Sequence, residues 1–238
     1  MKVLDCAKLP YQICKGSVKD RTKLAENMLQ NFVESVEKDF KNSDTINFYD
    51  IFDKIDSAIP VNNIFFNVKR ERPDVNYMDF IPDRHGQLKS YKIGLETDSL
   101  LQFDKINKNS LYHEVWHLYD AITSPKYGSR GDFCFSKQYV DYLEYYDEFF
   151  YTKTQYNKRT LKTKLAEMLS LVKEEEKIDM LQLLRYSLIR EYSAYKIANK
   201  YASDCGEYKK YNFPQKIRLV SKKLSQTIKE FRSNLCNR

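Results

Sequence analysis

Apolar residues recur at steps of three and four along most of this chain, which is the spacing of a helix that buries one face. The first such segment covers residues 17–40, with Ser17 as its N-cap and apolar residues at Leu24, Met28, Phe32, Val36 and Phe40. The same spacing predicts further helices over residues 48–59, 109–124, 139–150, 160–176, 178–202 and 214–235. Six glycines and six prolines are few for 238 residues, so helix should dominate.

The pattern changes to short runs of β-branched and aromatic residues between Asn62 and Asp104. These runs cover residues 62–69, 75–81 and 88–97. We expect a small sheet of about three strands, the last of them close to the helix over 109–124. The sequence therefore predicts an α+β class, in which a mostly helical domain has a small sheet next to that helix.

The composition fits one folded domain. Hydrophobic residues make up 42% of the chain, which is enough for a core and argues against disorder of the whole chain. We predict a single domain over residues 1–238. It would consist of an N-terminal helical part (1–60), a central core (61–205) and a basic C-terminal helix (206–238).

The chain has no run of about 18 apolar residues, and its first residues lack the apolar centre and cleavage site of a signal peptide. Its five cysteines are scattered and form no C-x-x-C pair, which is typical of reduced thiols and not of a zinc ribbon. These features predict a soluble cytoplasmic protein, with export by a non-classical route left open.

The net charge of +7 is concentrated at the C-terminal end. After Gly206 the chain has nine lysines and arginines against Glu207 and Glu230, so this segment alone carries 9 − 2 = +7. A basic helix of this kind can bind nucleic acid or an acidic protein. A solvated surface is the other interpretation, and no nucleic-acid-binding motif accompanies the charge.

The helix over 109–124 contains the residues with the clearest chemistry. His113 and His117 are four residues apart, so they lie on one face of the helix and can bind a single metal ion. Zinc prefers four ligands and accepts imidazole nitrogen, so a third protein ligand and a water would complete the set. Glu114 is placed to accept a proton from that water and pass it to a leaving amine. The pattern predicts metal-assisted amide hydrolysis; the alternatives are imidazoles on an exposed helix or a metal site that has lost activity.

The sequence HEVWH at residues 113–117 resembles the H-E-x-x-H signature of the zincin metallopeptidases at every fixed position. The resemblance implies a zincin-like fold, a zinc cofactor and hydrolysis of a peptide bond. Positions 120 and 123 hold Asp and Thr, which departs from the longer metzincin pattern. No histidine follows His117, so the third protein ligand is expected to be a carboxylate or to be absent.

Glutamates on predicted downstream helices supply the candidates for this third ligand: Glu144, Glu148, Glu167 and Glu191. Glu191 shares a helix face with Ala194, Ala198 and Ala202, whose small side chains allow two helices to approach closely. Glu148 has larger neighbours and is the alternative. Without a metal, Glu191 would be an ordinary helix glutamate paired with a lysine or arginine.

The Glu-x-x-Ala pattern at Glu191 also resembles the gluzincins, in particular the small ImmA/IrrE-type peptidases and the lethal-factor-like toxins and peptidases. This resemblance implies that Glu191 is the third zinc ligand. An aspartate three residues after the second histidine, here Asp120, likewise resembles the lethal-factor-like group. It would orient a ligand histidine without binding the metal itself.

An oxyanion formed during hydrolysis needs a donor besides zinc, and Tyr195, one turn after Glu191, is the candidate. Tyr186 and His85 are alternatives, although tyrosines in a chain with 19 of them mostly serve in packing. We expect Trp116 to pack the histidine helix into the core. Cys134 as a nucleophile is disfavoured, because zinc explains both helix histidines.

These residues predict a zinc-dependent metalloendopeptidase that hydrolyses a peptide bond in a protein substrate. By the gluzincin resemblance, the substrate would lie extended along the strand at 88–97. The alternative is a catalytically inactive interaction or regulatory module with a zincin fold, able to bind nucleic acid through residues 206–238.

Overall fold

The computed structural model describes the main helices and several short strands. The described residues are 18–43, 45–47, 54, 64–68, 77–82, 88–95, 105–123, 149–150, 157–203 and 210–236. Most of the helices predicted over 48–59 and 139–150 lie outside these residues, as do His85, Cys134 and Glu148.

Five α-helices are described, and each begins and ends within about two residues of a predicted helix, except where a predicted helix is split. They are α1 (Val18–Phe40), α2 (Lys108–Thr123), α3 (Lys158–Ser170), α4 (Lys177–Tyr201) and α5 (Phe213–Cys236). The predicted helix over 160–176 is split, because α3 ends at Ser170 and a short 3-10 helix follows at Glu174–Glu176. None of the described helices is long and apolar enough to cross a membrane.

Five short strands are also described: β1 (Thr45–Asn47), β2 (Ile64–Val68), β3 (Tyr77–Pro82), β4 (Leu88–Leu95) and β5 (Lys105–Asn107). Strands β1 and β5 pair antiparallel. In a separate three-stranded sheet, strand β4 lies between β2 and β3, parallel to β2 and antiparallel to β3. Strands β2, β3 and β4 fall in the predicted runs of β-branched and aromatic residues.

The prediction of an α+β class, a zincin-like domain with a small sheet next to the histidine helix, is wrong. The part of the chain whose side chains the structure describes is 88% helical and contains no sheet. A sheet of two short strands is marginally stable by itself, and a sheet of three needs a packed hydrophobic face. Alternating residues indicate a strand locally, but they do not determine which elements form the core.

The chain divides into two compact units, and the prediction of a single domain stays a prediction. The first unit is Met1–Ser136 with Ile197–Asp204, and the second is Lys137–Lys196 with Cys205–Arg238. Helix α4 contributes its last turn to the first unit and its earlier turns to the second.

Helices α1 and α2 pack together in the first unit. The buried face of α1 is formed by Ala25, Leu29, Phe32, Val33 and Val36. The predicted stripe was partly wrong, since Leu24 is 38% exposed. Residues repeated strictly every four positions drift around a helix with 3.6 residues per turn, so a straight buried face must alternate steps of three and four.

Helix α2 is buried on all sides over nine consecutive residues, from Leu111 to Tyr119. The ring of Tyr112 contacts Phe32 of α1 edge to face, with 6.3 Å between ring centroids. A helix that is buried all round is normally apolar, so the polar residues in this stretch require an explanation.

The second unit contains an aromatic cluster around one buried lysine. Lys216 of α5 is only 2% exposed, and its Nζ donates a hydrogen bond of 2.6 Å to the carbonyl oxygen of Phe150. The rings of Phe149, Tyr211 and Phe213 have centroids 5.6–5.9 Å from this Nζ. Burial lowers the pKa of Lys216 to about 8. This lysine therefore does not belong to the exposed basic surface predicted for the C-terminal helix.

Candidate metal centre

Helix α2 places His113 and His117 side by side, as their four-residue spacing requires. Their Nε2 atoms are 3.0 Å apart, and their rings are nearly perpendicular, with centroids separated by 4.7 Å. Both side chains are buried, with 6% and 5% of the residue exposed. The two imidazoles therefore present one nitrogen each to the same point.

This separation fits two ligands of one zinc ion. Zinc–nitrogen bonds of about 2.0–2.1 Å at a tetrahedral angle place two ligand nitrogens about 3.3 Å apart. The observed 3.0 Å between the His113 and His117 nitrogens is close to that value, so small side-chain rotations would suffice. Imidazole donors favour zinc and related transition metals, whereas calcium and magnesium take oxygen ligands.

Glu191 of helix α4 completes a set of three possible ligands with the two histidines. One carboxylate oxygen of Glu191 and one nitrogen of each imidazole all lie within 4.8 Å of one another. Glu191 is half-buried, and this is the one such group among the residues that the structure describes. Three protein ligands leave the fourth position of a tetrahedral ion open for water or substrate, which is the arrangement of catalytic zinc sites.

Glu114 lies beside this cluster without belonging to it. Its Oε1 is 3.9 Å from Nε2 of His113, and only 4% of the residue is exposed. Transfer of a carboxylate from water to a protein interior costs several kcal/mol, so positive charge close to it would be stabilising. A metal ion held by the two histidines would supply such charge next to Glu114.

The N-terminal half of α2 is fixed by buried polar contacts within the first unit. The Tyr112 hydroxyl donates a hydrogen bond of 2.7 Å to Oε1 of Glu37, and the Lys108 ammonium lies 2.8 Å from the same oxygen. Burial, the hydrogen bond to Glu37 and the charge of Glu37 all raise the pKa of Tyr112. Lys108 also donates to the carbonyl oxygen of Phe40, the last residue of α1, at 2.6 Å.

A second contact joins α2 to the last turns of α4. The Asn109 side-chain amide donates a hydrogen bond of 2.8 Å to the side-chain oxygen of Asn199. Asn109 precedes His113 by one turn, and Asn199 follows Glu191 by about two turns. Sequence reasoning missed both residues, because the partners are 90 positions apart and neither forms a recognisable motif.

The remaining candidates occupy different surroundings. Tyr195 is buried, and its ring stacks on Phe213 with centroids 5.4 Å apart, so it packs in the aromatic cluster of the second unit. Asp120 is half-buried on α2. Neither residue belongs to the metal-ligand cluster, and their roles as oxyanion donor and orienting carboxylate stay predictions.

The alternatives are also placed. Tyr186 is half-buried with the Arg190 guanidinium 5.8 Å from its ring centroid. Glu167 is exposed on α3 and has Lys164 at 3.9 Å, which is an ordinary surface pair. Trp116 is 2% exposed, which confirms the prediction that it packs in the core.

Comparison with known proteins gives no relative. No family model, no curated protein and no solved structure matches this chain. The cluster of His113, His117 and Glu191, with Glu114 beside it, is therefore the feature of this chain that indicates a function.

Proposed function

We propose that this protein is a zinc-dependent metalloendopeptidase. The observation that carries the proposal is the convergence of His113, His117 and Glu191 to within 4.8 Å, with the buried carboxylate of Glu114 next to the first ligand. Two nitrogens and one carboxylate oxygen are a donor set that suits zinc. The HEVWH sequence also resembles the signature of the zincin peptidases, in which the same residue types serve in hydrolysis.

Each residue has a distinct role in the proposed reaction. His113, His117 and Glu191 would hold the ion, which when bound lowers the pKa of water and polarises a carbonyl group. Glu114 accepts a proton from the attacking water as the new C–O bond forms. It then gives that proton to the amine as the C–N bond breaks, so the carboxylate returns to its starting state. Burial of Glu114 keeps bulk water away from this transfer.

The metal set is tested by zinc content. We expect about one zinc per chain in the wild type by elemental mass spectrometry. Glu191→Ala should lose most of it, because removal of one of three protein ligands weakens the site strongly. Glu167→Ala removes an exposed glutamate from α3 and is the matched control, which should keep its zinc. A wild type that takes up no zinc on reconstitution, or an unchanged zinc content in Glu191→Ala, would contradict the proposed ligand set.

Catalysis is tested separately with Glu114→Gln, which preserves the size of the side chain and removes its basicity. The variant should keep its zinc and lose at least about a hundredfold in the rate of cleavage, the usual contribution of a general base. Labelled casein and a mixed peptide library read by mass spectrometry serve as substrates. If wild type and Glu114→Gln bind zinc alike and neither cleaves any substrate, the inactive interaction module becomes the better description.

We also propose that the protein acts in the cytoplasm on a protein or peptide substrate. The odd number of scattered cysteines supports this placement. The basic helix α5 gives weaker support for nucleic acid than its sequence indicated, because Lys216 is buried among aromatic rings.

A further inference from the structure

A polar pocket lies in the first unit, where the last turns of α1 and α4 meet the first residue of α2. Its volume is about 380 Å³. The lining residues are Glu37, Lys41, Ser43, Lys108, Asn199, Lys200, Tyr201, Ala202 and Ser203. None of them belongs to the metal-ligand cluster, so the pocket is a separate candidate site. Its volume falls within the range of small-molecule sites, about 300–1,000 Å³.

Glu37, the one acid among the described lining residues, is neutralised by its neighbours. Glu37 has the ammonium of Lys108 at 2.8 Å from its Oε1, and the hydroxyl of Tyr112 donates to the same oxygen at 2.7 Å. Lys108 is 96% buried, since only 4% of it is exposed, and its Nζ also donates to the carbonyl oxygen of Phe40. The ion pair of Lys108 and Glu37 therefore lines the pocket without adding net charge.

Two further lysines add positive charge to the described part of the lining. Lys41 and Lys200 are both exposed, and Glu37 is the one acid among the lining residues that the structure describes. Lys200 is held in place by Tyr201, because its Nζ donates to the tyrosine hydroxyl at 3.2 Å and lies 4.8 Å from the ring centroid. The Tyr201 ring in turn contacts the ring of Tyr112 edge to face.

The helix ends do not cancel this positive charge. The C-terminal ends of α1 and α4 each contribute about half a negative charge, and the N-terminal end of α2 contributes about half a positive one. Two lysine charges exceed that balance. The hydroxyl of Ser203 and the side-chain amide of Asn199 add polar groups that can donate hydrogen bonds to an anion.

We propose that this pocket binds a small molecule through an oxyanion group, a phosphate or a carboxylate, held between Lys41 and Lys200. Charged hydrogen bonds from ammonium groups to such oxygens are among the stronger polar contacts in proteins. The volume exceeds that of a bare phosphate ion, so there is room for an organic group attached to the oxyanion.

The test is isothermal titration of the full chain with three probes: inorganic phosphate, ribose 5-phosphate and citrate. Each titration is run at constant ionic strength with and without a chelator, so that anions held by a metal ion are recognised. The pocket variant is the double substitution Lys41→Gln with Lys200→Gln. The control is Lys222→Gln with Lys229→Gln, which removes the same charge from exposed positions of α5. All four lysines are exposed, so both variants should fold, and circular dichroism verifies this.

We expect saturable binding of one probe per chain, weakened at least tenfold in the pocket variant and changed less than twofold in the control. Tighter binding of ribose 5-phosphate than of phosphate identifies an organic phosphate, equal binding identifies the free ion, and binding of citrate alone identifies a carboxylate. Absence of saturable binding by all three probes overturns the proposal, as does equal weakening in both variants, which would indicate only net charge. None of these outcomes depends on the zinc content, so the pocket and the metal centre stand or fall separately.

Discussion

The buried lysine of α5 leads to a sharp prediction about stability and pH. Lys216 has a folded-state pKa of about 8 against an ordinary value of 10.5, because burial disfavours its charged form. The unfolded chain therefore binds one more proton than the folded protein between these two pH values. By linkage, the free energy of unfolding should rise with pH through this window, and below pH 8 the full cost of the buried charge persists. Over the complete window the free energy of unfolding rises by about 3 kcal/mol, since each pKa unit corresponds to about 1.4 kcal/mol.

The perturbation is Lys216→Met, which keeps the length of the side chain and removes its titration. Lys222→Met, at an exposed position of the same helix, is the matched control. Lys216→Met increases the free energy of unfolding by removing the buried charge. It also leaves the carbonyl oxygen of Phe150 without the lysine donor, which lowers that free energy by about 1–3 kcal/mol. The two terms nearly cancel at pH 7, so the slope with pH is the quantity that discriminates.

The assay is denaturant unfolding at pH 7, 8, 9 and 10, followed by far-ultraviolet circular dichroism. Fluorescence of Trp116 is less suitable, because Trp116 belongs to the first unit and Lys216 to the second. Measurements stop at pH 10, because burial raises the pKa of Tyr112 and Tyr119 and ionisation of these residues in the unfolded chain then lowers stability.

Between pH 8 and pH 10 the wild type and Lys222→Met should each gain about 2 kcal/mol of unfolding free energy relative to Lys216→Met. Parallel curves for all three proteins would refute the reasoning. They would mean that the three aromatic rings within 5.9 Å of the ammonium compensate its desolvation through cation–π attraction.

Three further predictions concern the histidine helix. Asn199→Leu should lower the free energy of unfolding by about 1–3 kcal/mol, because the buried side-chain amide of Asn109 loses this acceptor. Chemical denaturation measures the loss, and an unchanged midpoint would count against the contact. Tyr112→Phe should cost about 1 kcal/mol in the same assay through loss of the hydrogen bond to Glu37, and no loss would show that water replaces it. Zinc at a hundredfold excess over its Kd should stabilise the wild type by about 2.7 kcal/mol in thermal unfolding, and a similar shift in His117→Ala would contradict binding at the cluster.

The helices could be predicted from the sequence because their signal is local. Steps of three and four residues indicated α1, α2, α4 and α5 with boundaries that differ from the structure by one or two residues. The fold class could not be predicted in the same way. The alternating runs between residues 62 and 97 form short strands, but the core is built by helix packing, which depends on contacts distant in sequence.

The same difference between local and long-range signals applies to the metal site. His113, Glu114 and His117 are set by the geometry of a single helix, so their relation followed from spacing alone. Glu191 was reached from the small residues on its helix face and from a family resemblance, and the structure places it with the histidines.

The polar contacts that hold α2 gave no comparable signal, since Glu37 and Asn199 are 75 and 90 residues from their partners. Lys216 was predictable in principle. It lies three residues after Phe213 and four before Val220, which are both fully buried, so the helical pattern placed it on the inner face in spite of its charge.

The burial of α2 bears on the choice between a metal centre and a structural explanation for its histidines. From Leu111 to Tyr119 every residue is buried, and an apolar helix would pack there without any cost of desolvation. Instead three ionisable side chains lie within five residues, and a second helix brings a carboxylate to the same point. A hydrogen bond between the two imidazoles does not by itself require a carboxylate from a second helix at the same point. A divalent cation would bind both imidazoles and Glu191 together, which is why metal content separates the two explanations more directly than any measurement of stability.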